Sequence, residues 1–569
     1  MKIKYKEEIK INTPINDQEI IDLLIKNRKI ANKEEFLNPT SPLKISLTDF
    51  GFKRQWQKTF NLLKKIKENG QMIVVYTDYD ADGITGGAIL WETLYLLGFK
   101  VMPYVPHRQY EGYGFSIKGI DTVKKLYNPA LIISVDHGIT AKEKIAYAKS
   151  LGIKIIVTDH HLKPEKLPTE AEAIFHIPEL SGAGVAYFFA KEIFNSFHHM
   201  VERRPGVSLQ NYFITDYLAL ASIGTIADLV PLIGPSRSLV KYGLEVFDKV
   251  KRHGLKHIFK EAGIEGKKIT PYEIGFIIAP RINAVGRLEH AIDALRLLCT
   301  TNEKRAHDLA DKAGSKNVQR QELVEKSVEE AKKNLKTQIS KFKTLPKIII
   351  LSSDKWHEGI MGLIAAKIAE EFYRPTIVLT KTDGFYKGSA RSIPGFDITN
   401  FLRSLKKYLI DVGGHKQAAG FTLEKNQLNN FCAAAQELSS SLIKEKDLER
   451  KIEVDLKIPI SKISLSLVKA LEKLQPFGAG NPQPTFYSRG KIVDAKIFGK
   501  KNEHLKIWLS PTPPAKEETQ YLELIAFGQG EKFKELSRDQ ITDVVYSLEI
   551  NRWGNKEKVR GKIINLFIK

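Results

Sequence analysis

The stretch MIVVYTDYDADG, residues 72–83, decides the fold. Its first four residues are a short apolar run without alternation, the mark of a strand covered on both faces, and the run leads directly into Asp78, Asp80 and Asp82. Downstream, Ile84, Ala88, Trp91, Tyr95 and Gly98 recur at helical spacing and supply a crossover helix. The pattern then repeats. KVMPYV at 100–105, LIISV at 131–135 and IKIIV at 153–157 are further short runs separated by helical patterns. Residues 70–180 are therefore predicted to form βαβ units around a parallel sheet.

Open parallel sheets bind ligands at the carboxyl ends of their strands. The first strand ends in Asp78, Asp80 and Asp82, the third in Asp136 and His137, and the fourth in Asp159, His160 and His161, so the three clusters are expected in one crevice. A further acid, Asp228 in IGTIADLVPL, sits in an apolar segment where an unpaired charge is costly. A cation would serve as its partner. These donors exceed what one ion needs, so two divalent metal ions are expected, and carboxylate and imidazole without thiolate point to Mn²⁺ or Mg²⁺. Such a pair clamps a phosphodiester and activates water. Each cluster has a plainer reading by itself: a solvated DxDxD loop, an Asp-His helix cap, or a His-His pair as filler, which is how His198 and His199 are read. Their recurrence at successive strand ends favours the metal centre. Gly83, Gly86 and Gly87 open the first helix, but GxxxxGK[ST] is missing, which excludes a P-loop.

At 569 residues the chain is expected to be modular, with three or four compact units. Lys and Arg number 88 against 66 Asp and Glu, a net charge of +22 that favours a polyanionic partner, nucleic acid first. A Lys-rich proteome would produce the same balance, so charge does not decide the matter. Cys299 and Cys432 lie far apart, which excludes a disulfide framework and fits a reducing cytoplasm. The N-terminus lacks an apolar signal region, and the apolar stretch from Tyr217 to Ile233 is interrupted by Asp228 and Pro231, so neither a signal peptide nor a membrane span is expected. Residues 211–345 read as mostly helical and end in QELVEKSVEEAKKNLKTQISKFK, a long connecting helix. A second α/β pattern starts at KIIILSS, 347–353, and continues through GIMGLIAAKIAEEF to about residue 440. After 450, the runs KIEVDLKI, KIVDAKIF, HLKIWLS, YLELIAF, VVYSLEI and GKIINLFI suggest a small barrel, most economically an OB-fold. The expected partition is an N-terminal segment (1–50), a catalytic parallel-sheet domain (51–235), a helical connector (236–345), a second α/β domain (346–445) and the barrel (446–569).

With these motifs in view, the sequence resembles the DHH phosphoesterases: TDYDADG at 77–83, VDHG at 135–138, DHH at 159–161 and GTIADLVPL at 224–232. Within that superfamily it is most similar to RecJ-type exonucleases, through EGYG at 111–114, SGAGVAYFFA at 181–190, PRINAVGRL at 280–288, NVQRQ at 317–321, WHEGIMGLIAAKIAEEFYRP at 356–375, KGSARS at 387–392, GGHKQAAGFT at 413–422 and PFGAGNPQPTF at 476–486. The resemblance implies a metal-dependent 5′ to 3′ exonuclease acting on single-stranded DNA in repair and recombination. It implies a DHH domain, a long helix, a DHH-associated domain and an OB-fold. Carried over by position, Asp80, Asp82, Asp136, His160 and Asp228 hold the metals, with Asp136 bridging. Asp78, Asp159 and His161 ligate or orient the ligands. Gly413 and Gly414 let the backbone approach a phosphate, and His415 donates to the scissile group. Arg108, Arg281, Gln321 and Ser389 suit a 5′-phosphate, although a structural ion pair is the plainer reading of Arg281 and Arg287. Phe498, Trp508 and Trp553 are candidates for base stacking, and each also suits core packing.

Two departures stand out. Thr77 occupies a position where the family usually has Gly, and HIPEL at 176–180 replaces a common Asn-Pro loop. The rival readings are a nano-RNase or nucleotide phosphatase, which would not need the chain beyond residue 450, and a catalytically inactive replication scaffold, which would not need a complete ligand set. Expected partners are single-stranded DNA and a single-strand-binding protein or a helicase, with the protein a cytoplasmic monomer. Because every proposed ligand precedes residue 450, removal of 450–569 is expected to leave the crevice whole.

Overall fold

The strand Ile73–Thr77 has all five side chains buried, as a strand covered on both faces requires. The computed structural model describes every residue except 1, 11–13, 109, 201–208, 383, 513–520, 554, 555 and 569, and the side chains of Lys2, Met200, Leu209, Lys341, Phe342 and Trp553. Its chain divides into two compact units. One comprises residues 3–279, 295–306 and 452–569; the other comprises 1–2, 280–294 and 307–451.

In the larger unit, Ile73–Thr77 lies between Val101–Tyr104 and Leu131–Val135, followed by Lys154–Asp159 and Ala173–His176, and every pairing is parallel. The winding direction therefore reverses between Ile73–Thr77 and Leu131–Val135. At such a switch point the connections leave in opposite directions and open a crevice at the carboxyl ends. The helices Ala81–Leu96, Gly182–Phe197 and Asp216–Ala227 are buried almost all round. That is why they lack a polar face and why Tyr217–Ile233 reads as a long apolar run. Among the described residues, no helix is long and apolar enough to cross a membrane.

The same unit contains the C-terminal barrel. Thr485–Phe498, His504–Pro511, Leu522–Ala526, Lys556–Phe567 and Ile541–Trp553 follow one another, and Thr485–Phe498 pairs back with Ile541–Trp553 to close the ring. Five strands closed in this way form an OB-type barrel. Lys451–Lys457 and the N-terminal strand Lys2–Glu8 extend its edge. Ile9, Ile20, Ile21, Leu24, Ile25 and Phe36 enter the barrel's hydrophobic core beside Leu467, Leu471 and Phe486. Buried Arg237, from the helix Gly234–Leu244, joins this core to the parallel-sheet half: it lies over the Phe36 ring and donates to the carbonyls of Phe36, Leu474, Gln475 and Pro476. The barrel's core is thus shared with the start of the chain, so removing residues 450–569 would uncover these side chains as well as the barrel.

The smaller unit is built on a mixed sheet in the order Asp411–His415, Ala418–Glu424, Phe385–Arg391, Thr376–Thr382, Ile349–Ser352, with one parallel pair at its end. The 40-residue helix Glu303–Phe342 supplies Val324, Val328, Ala331 and Leu335, which pack against Ile349, Leu351, Ile364 and Ile368. Its apolar stripe is narrow, and that is what lets so charged a sequence remain helical.

Candidate metal centre

Asp80 caps the helix Ala81–Leu96, its Oδ1 accepting from the backbone N–H of Asp82 at 3.0 Å and of Gly83 at 3.1 Å. Asp82 lies buried in the first turn, where Oδ2 accepts from Gly182 N–H at 2.6 Å and Oδ1 from Ala183 N–H at 2.9 Å. These donors are the first turn of Gly182–Phe197, whose positive end favours a carboxylate. A side chain at Gly182 would put its Cβ 2.3 Å from the Asp136 Cβ, and one at Gly224 would meet Asp82 Oδ1 at 2.4 Å, so both helices must present glycine here. Asp136 itself adopts φ +68°, a left-handed conformation that Asp tolerates better than most residues and that turns the chain out of its strand. Thr77 is buried, donates to the Gly83 carbonyl and packs against Gly87, which leaves room for the branched side chain.

In the DHH segment Asp159 is an anchor. Its Oδ1 accepts from His160 N–H, His161 N–H and His161 Nδ1 at 2.7, 3.1 and 2.8 Å, and its Oδ2 accepts from Ile139 N–H at 2.8 Å. Burial opposes its ionisation, but these bonds and the charge of His161 hold it well below the usual carboxylate range. His161 is raised to about 9, its burial outweighed by Asp159. The opposite ring nitrogen of His161, Nε2, lies 3.0 Å from the Tyr113 hydroxyl, which donates in turn to the Asp136 carbonyl at 3.3 Å. Sequence reasoning missed Tyr113 and also His176, whose Nε2 sits 2.7 Å from the His161 carbonyl oxygen. The departure at HIPEL thus carries a support for the DHH turn. His137 is held at the Tyr76 carbonyl and lies edge-on to Tyr76 and Phe115.

The remaining groups converge. His160 Nε2 lies 3.1 Å from Asp136 Oδ1, 3.5 Å from Asp228 Oδ2 and 3.8 Å from Asp82 Oδ2. Three sets each have ligand atoms within 4.8 Å of one another: Asp136, His160 and His161; Asp82, His160 and Asp228; Asp78, Asp80 and Asp136. Among the described residues, buried Asp78 Oδ1, Asp136 Oδ1 and His160 Nε2 have no hydrogen-bond partner. Burial, with Asp80 beside it, raises Asp82 to about 7, and burial with Asp82 and Asp80 raises Asp228 to about 8. Asp78 and Asp136 are raised well above the usual range, by burial first and then by their neighbouring carboxylates. Burial lowers His160 to about 4, leaving a neutral imidazole. Orphaned ligand atoms among mutually repelling carboxylates are a donor set that divalent cations fit, since the cation removes the repulsion and fills the empty lone pairs.

The predicted end-binding residues are distributed between the two units. In the larger unit, Arg108 lies over the Tyr79 ring at 5.0 Å and lowers the proton affinity of Asp78. Arg281, Gln321, Ser389, Gly413, Gly414 and His415 belong to the smaller unit. There Gln321 is exposed on the long helix, Ser389 Oγ accepts from Arg391 at 3.3 Å, and His415 is exposed on the Asp411–His415 strand. Gly414 has φ +144°, and a Cβ there would meet the Ala418 carbonyl oxygen at 2.3 Å. Arg287 donates to the Gly359 carbonyl at 3.0 Å, a structural bond. On the barrel, Phe498 packs by His504, while Trp508 is half-exposed between Lys496 and Lys506, whose ammonium groups lie 5.4 and 5.6 Å from its ring. The Trp553 side chain lies outside the described residues.

Family models for the DHH family N-terminal domain, the DHHA1 domain and the RecJ OB domain match residues 72–225, 345–441 and 454–565. The single-stranded-DNA-specific exonuclease RecJ of Haemophilus influenzae is 30% identical, over 98% of this chain and 97% of its own length. That of Bacillus subtilis is 32% identical over 87% of this chain, which spans only 61% of the longer relative. The crystal structure of Thermus thermophilus RecJ with Mn²⁺ matches at a TM-score of 0.78 and 27% identity, covering 99% of this chain and 79% of that one. The Mg²⁺ complex matches at 0.71 and 26%, covering 100% and 78%.

Proposed function

The chain belongs to the RecJ family of single-stranded-DNA-specific exonucleases, and from that premise we propose that it removes nucleotides from the 5′ end of single-stranded DNA, in repair and recombination, with two divalent ions, Mn²⁺ or Mg²⁺. The observation that carries the reading is the set of orphaned carboxylate and imidazole atoms at the switch point of the parallel sheet. Asp80, Asp82, Asp136, His160 and Asp228 would hold the ions, with Asp78 beside them. Asp136 and His160 are each common to two of the convergent sets, and of the two only the carboxylate has two oxygens with which it would hold both ions. Divalent ions held by these residues would supply charge neutralisation at the phosphodiester and activation of water. The chain's own part is orientation: the Gly182 and Ala183 amides fix Asp82, and Asp159 fixes the DHH turn and keeps His161 charged beside Asp136.

Polarity needs a recognised strand end, because a two-metal centre cuts whichever bond is presented to it. Arg281 and Gln321, with Ser389 and Arg108, are proposed for the 5′-phosphate, and Gly413, Gly414 and His415 for the scissile group. This assignment rests on the resemblance of their motifs. Arg281→Ala should slow digestion of 5′-phosphorylated strands much more than of 5′-hydroxyl strands, since a lost charge-assisted contact costs about 1.5 to 3 kcal/mol. Equal slowing of both would remove Arg281 from end recognition. The enzyme is read as a cytoplasmic monomer supplied with single strand by a helicase or a single-strand-binding protein. The decisive experiment incubates the purified protein with Mn²⁺ or Mg²⁺ and end-labelled single strands. Mononucleotide released first from a 5′ label is expected; release first from a 3′ label, or cleavage of dinucleotides only, would overturn the reading.

A further inference from the structure

Asp228 differs from Asp80, Asp82 and Asp159 in how it is held. Asp80, Asp82 and Asp159 each accept two or more backbone N–H bonds. Among the described residues, the Asp228 carboxylate accepts none, and a third of its side chain is exposed. Apart from His160 Nε2 at 3.5 Å, its place therefore follows the backbone from which it hangs. That backbone is the C-terminal end of helix Asp216–Ala227, followed by Leu229 at φ +58° and a loop in which Ile233 N–H donates to the Pro231 carbonyl at 2.8 Å.

The far side of this loop is gripped by the barrel's PFGAGNPQPTF motif. Leu232 N–H donates to the Ala479 carbonyl at 2.7 Å. Gly480, at φ +69°, lies so close over Pro231 that a Cβ would come 2.8 Å from the proline Cβ, and a Cβ at Gly478 would come 2.7 Å from a Leu232 methyl. The turn is itself rigid. Wholly buried Asn481 donates to the Leu474 and Pro476 carbonyls at 2.7 and 2.9 Å and accepts from Arg28 at 3.0 Å. Arg237, in the helix that follows the Asp228 loop, donates to the carbonyls of Leu474, Gln475 and Pro476.

We propose that the Gly478–Gly480 turn of the barrel is a positioning device for Asp228, so that cation binding by the catalytic half is completed by the C-terminal domain. The proposal rests on the reading of Asp228 as a metal ligand. A carboxylate without hydrogen bonds moves with its main chain, and among the described residues the one main-chain hydrogen bond of residues 228–233 that reaches beyond the neighbouring chain is Leu232 N–H to Ala479, in this turn. Glycine at 480 is then required for contact distance as well as for its left-handed backbone.

The test is Mn²⁺ affinity of the full chain, followed by the electron paramagnetic resonance signal of free Mn²⁺. Single-strand affinity in EDTA and the thermal midpoint are measured in parallel. Asp228→Asn and Gly480→Ala should both weaken Mn²⁺ binding, about tenfold to a hundredfold as for other groups that orient a ligand, with single-strand affinity unchanged. Gly478→Ala should weaken it less, because the flexible end of Leu232 can yield. If Gly480→Ala lowers the thermal midpoint but leaves Mn²⁺ affinity intact, the turn only holds the fold and the proposal is overturned. If Asp228→Asn leaves Mn²⁺ affinity intact, the ligand assignment itself fails and the proposal falls with it. Should Gly480→Ala not fold, Gly478→Val takes its place. Affinity lost in that variant and regained on adding Leu232→Ala is expected, and loss in both contradicts the device.

Discussion

Asp136 concentrates the demands of the centre in one residue: a left-handed backbone, a buried carboxylate with an unpartnered oxygen, and membership of two ligand sets. Asp136→Ala should reduce hydrolysis below detection in Mn²⁺ while single-strand affinity stays close to that of the parent, because no strand-binding surface is altered. Ordinary turnover would remove Asp136 from the centre. Its neighbours make a pH prediction. Asp82 and Asp228, at about 7 and about 8, keep their protons in the folded protein, whereas an unfolded chain loses them near about pH 4. The folded state therefore binds more protons in that window. The stability these groups contribute is complete below it and is lost as pH rises through 7 and 8. Asp82 dominates the argument, being fully buried, whereas partial exposure screens Asp228. A divalent cation binds the ionised forms, so the rise in melting temperature produced by Mn²⁺ over EDTA should be larger at pH 8 than at pH 6. An equal rise at both would show that the cation binds elsewhere.

Single elements serve the site through their ends. Ser181 caps the helix Gly182–Phe197, and the amides beyond that cap are the ones that hold Asp82, so SGAG is legible as a carboxylate clamp only once the helix is placed. The strand His504–Pro511 alternates cleanly: Leu505, Ile507 and Leu509 point into the barrel, while His504, Lys506 and Trp508 point outward. A half-exposed indole between two ammonium groups suits a base stacked on the ring and phosphates on either side. Trp508→Ala should weaken single-strand binding by about 1 to 3 kcal/mol with little change in salt dependence. Lys496→Ala and Lys506→Ala should each reduce the slope of log affinity against log salt by about 1 unit. Anisotropy titrations across a salt series separate the two effects, and an unchanged affinity for Trp508→Ala would return that residue to a packing role.

For the molecule as a whole, the barrel and the start of the chain are one folding unit. Six apolar side chains between Ile9 and Phe36 lie in the barrel core, and at about 1.5 to 3 kcal/mol each their burial rivals the whole stability of a domain. Arg237 would also lose three of its four carbonyl partners without residues 474–476. A chain ending at residue 450 is therefore expected to express as insoluble or poorly folded protein. Soluble yield and circular dichroism would check this. A well-folded, Mn²⁺-binding truncation would show that the shared core is dispensable and would count against the role assigned to Gly480.

The parallel sheet and its three ligand clusters were legible in residues 72–161, because βαβ connection forces consecutive strands to run the same way and so brings their carboxyl ends to one edge. The barrel was legible for a similar reason, since six short alternating runs leave few other ways to cover their apolar faces. Asp228 was visible as a misplaced charge, though its orientation was not. That orientation depends on Gly224 against Asp82 and on Pro231 against Gly480, contacts between residues far apart in the chain that only packing brings together. The same holds for His176 behind His161, for Arg237 across three segments and for the N-terminal residues in the barrel core. Local pattern determined which residues could do the chemistry; tertiary packing decided how each is held, because a side chain's partners are set by volume and distance and not by its place along the chain.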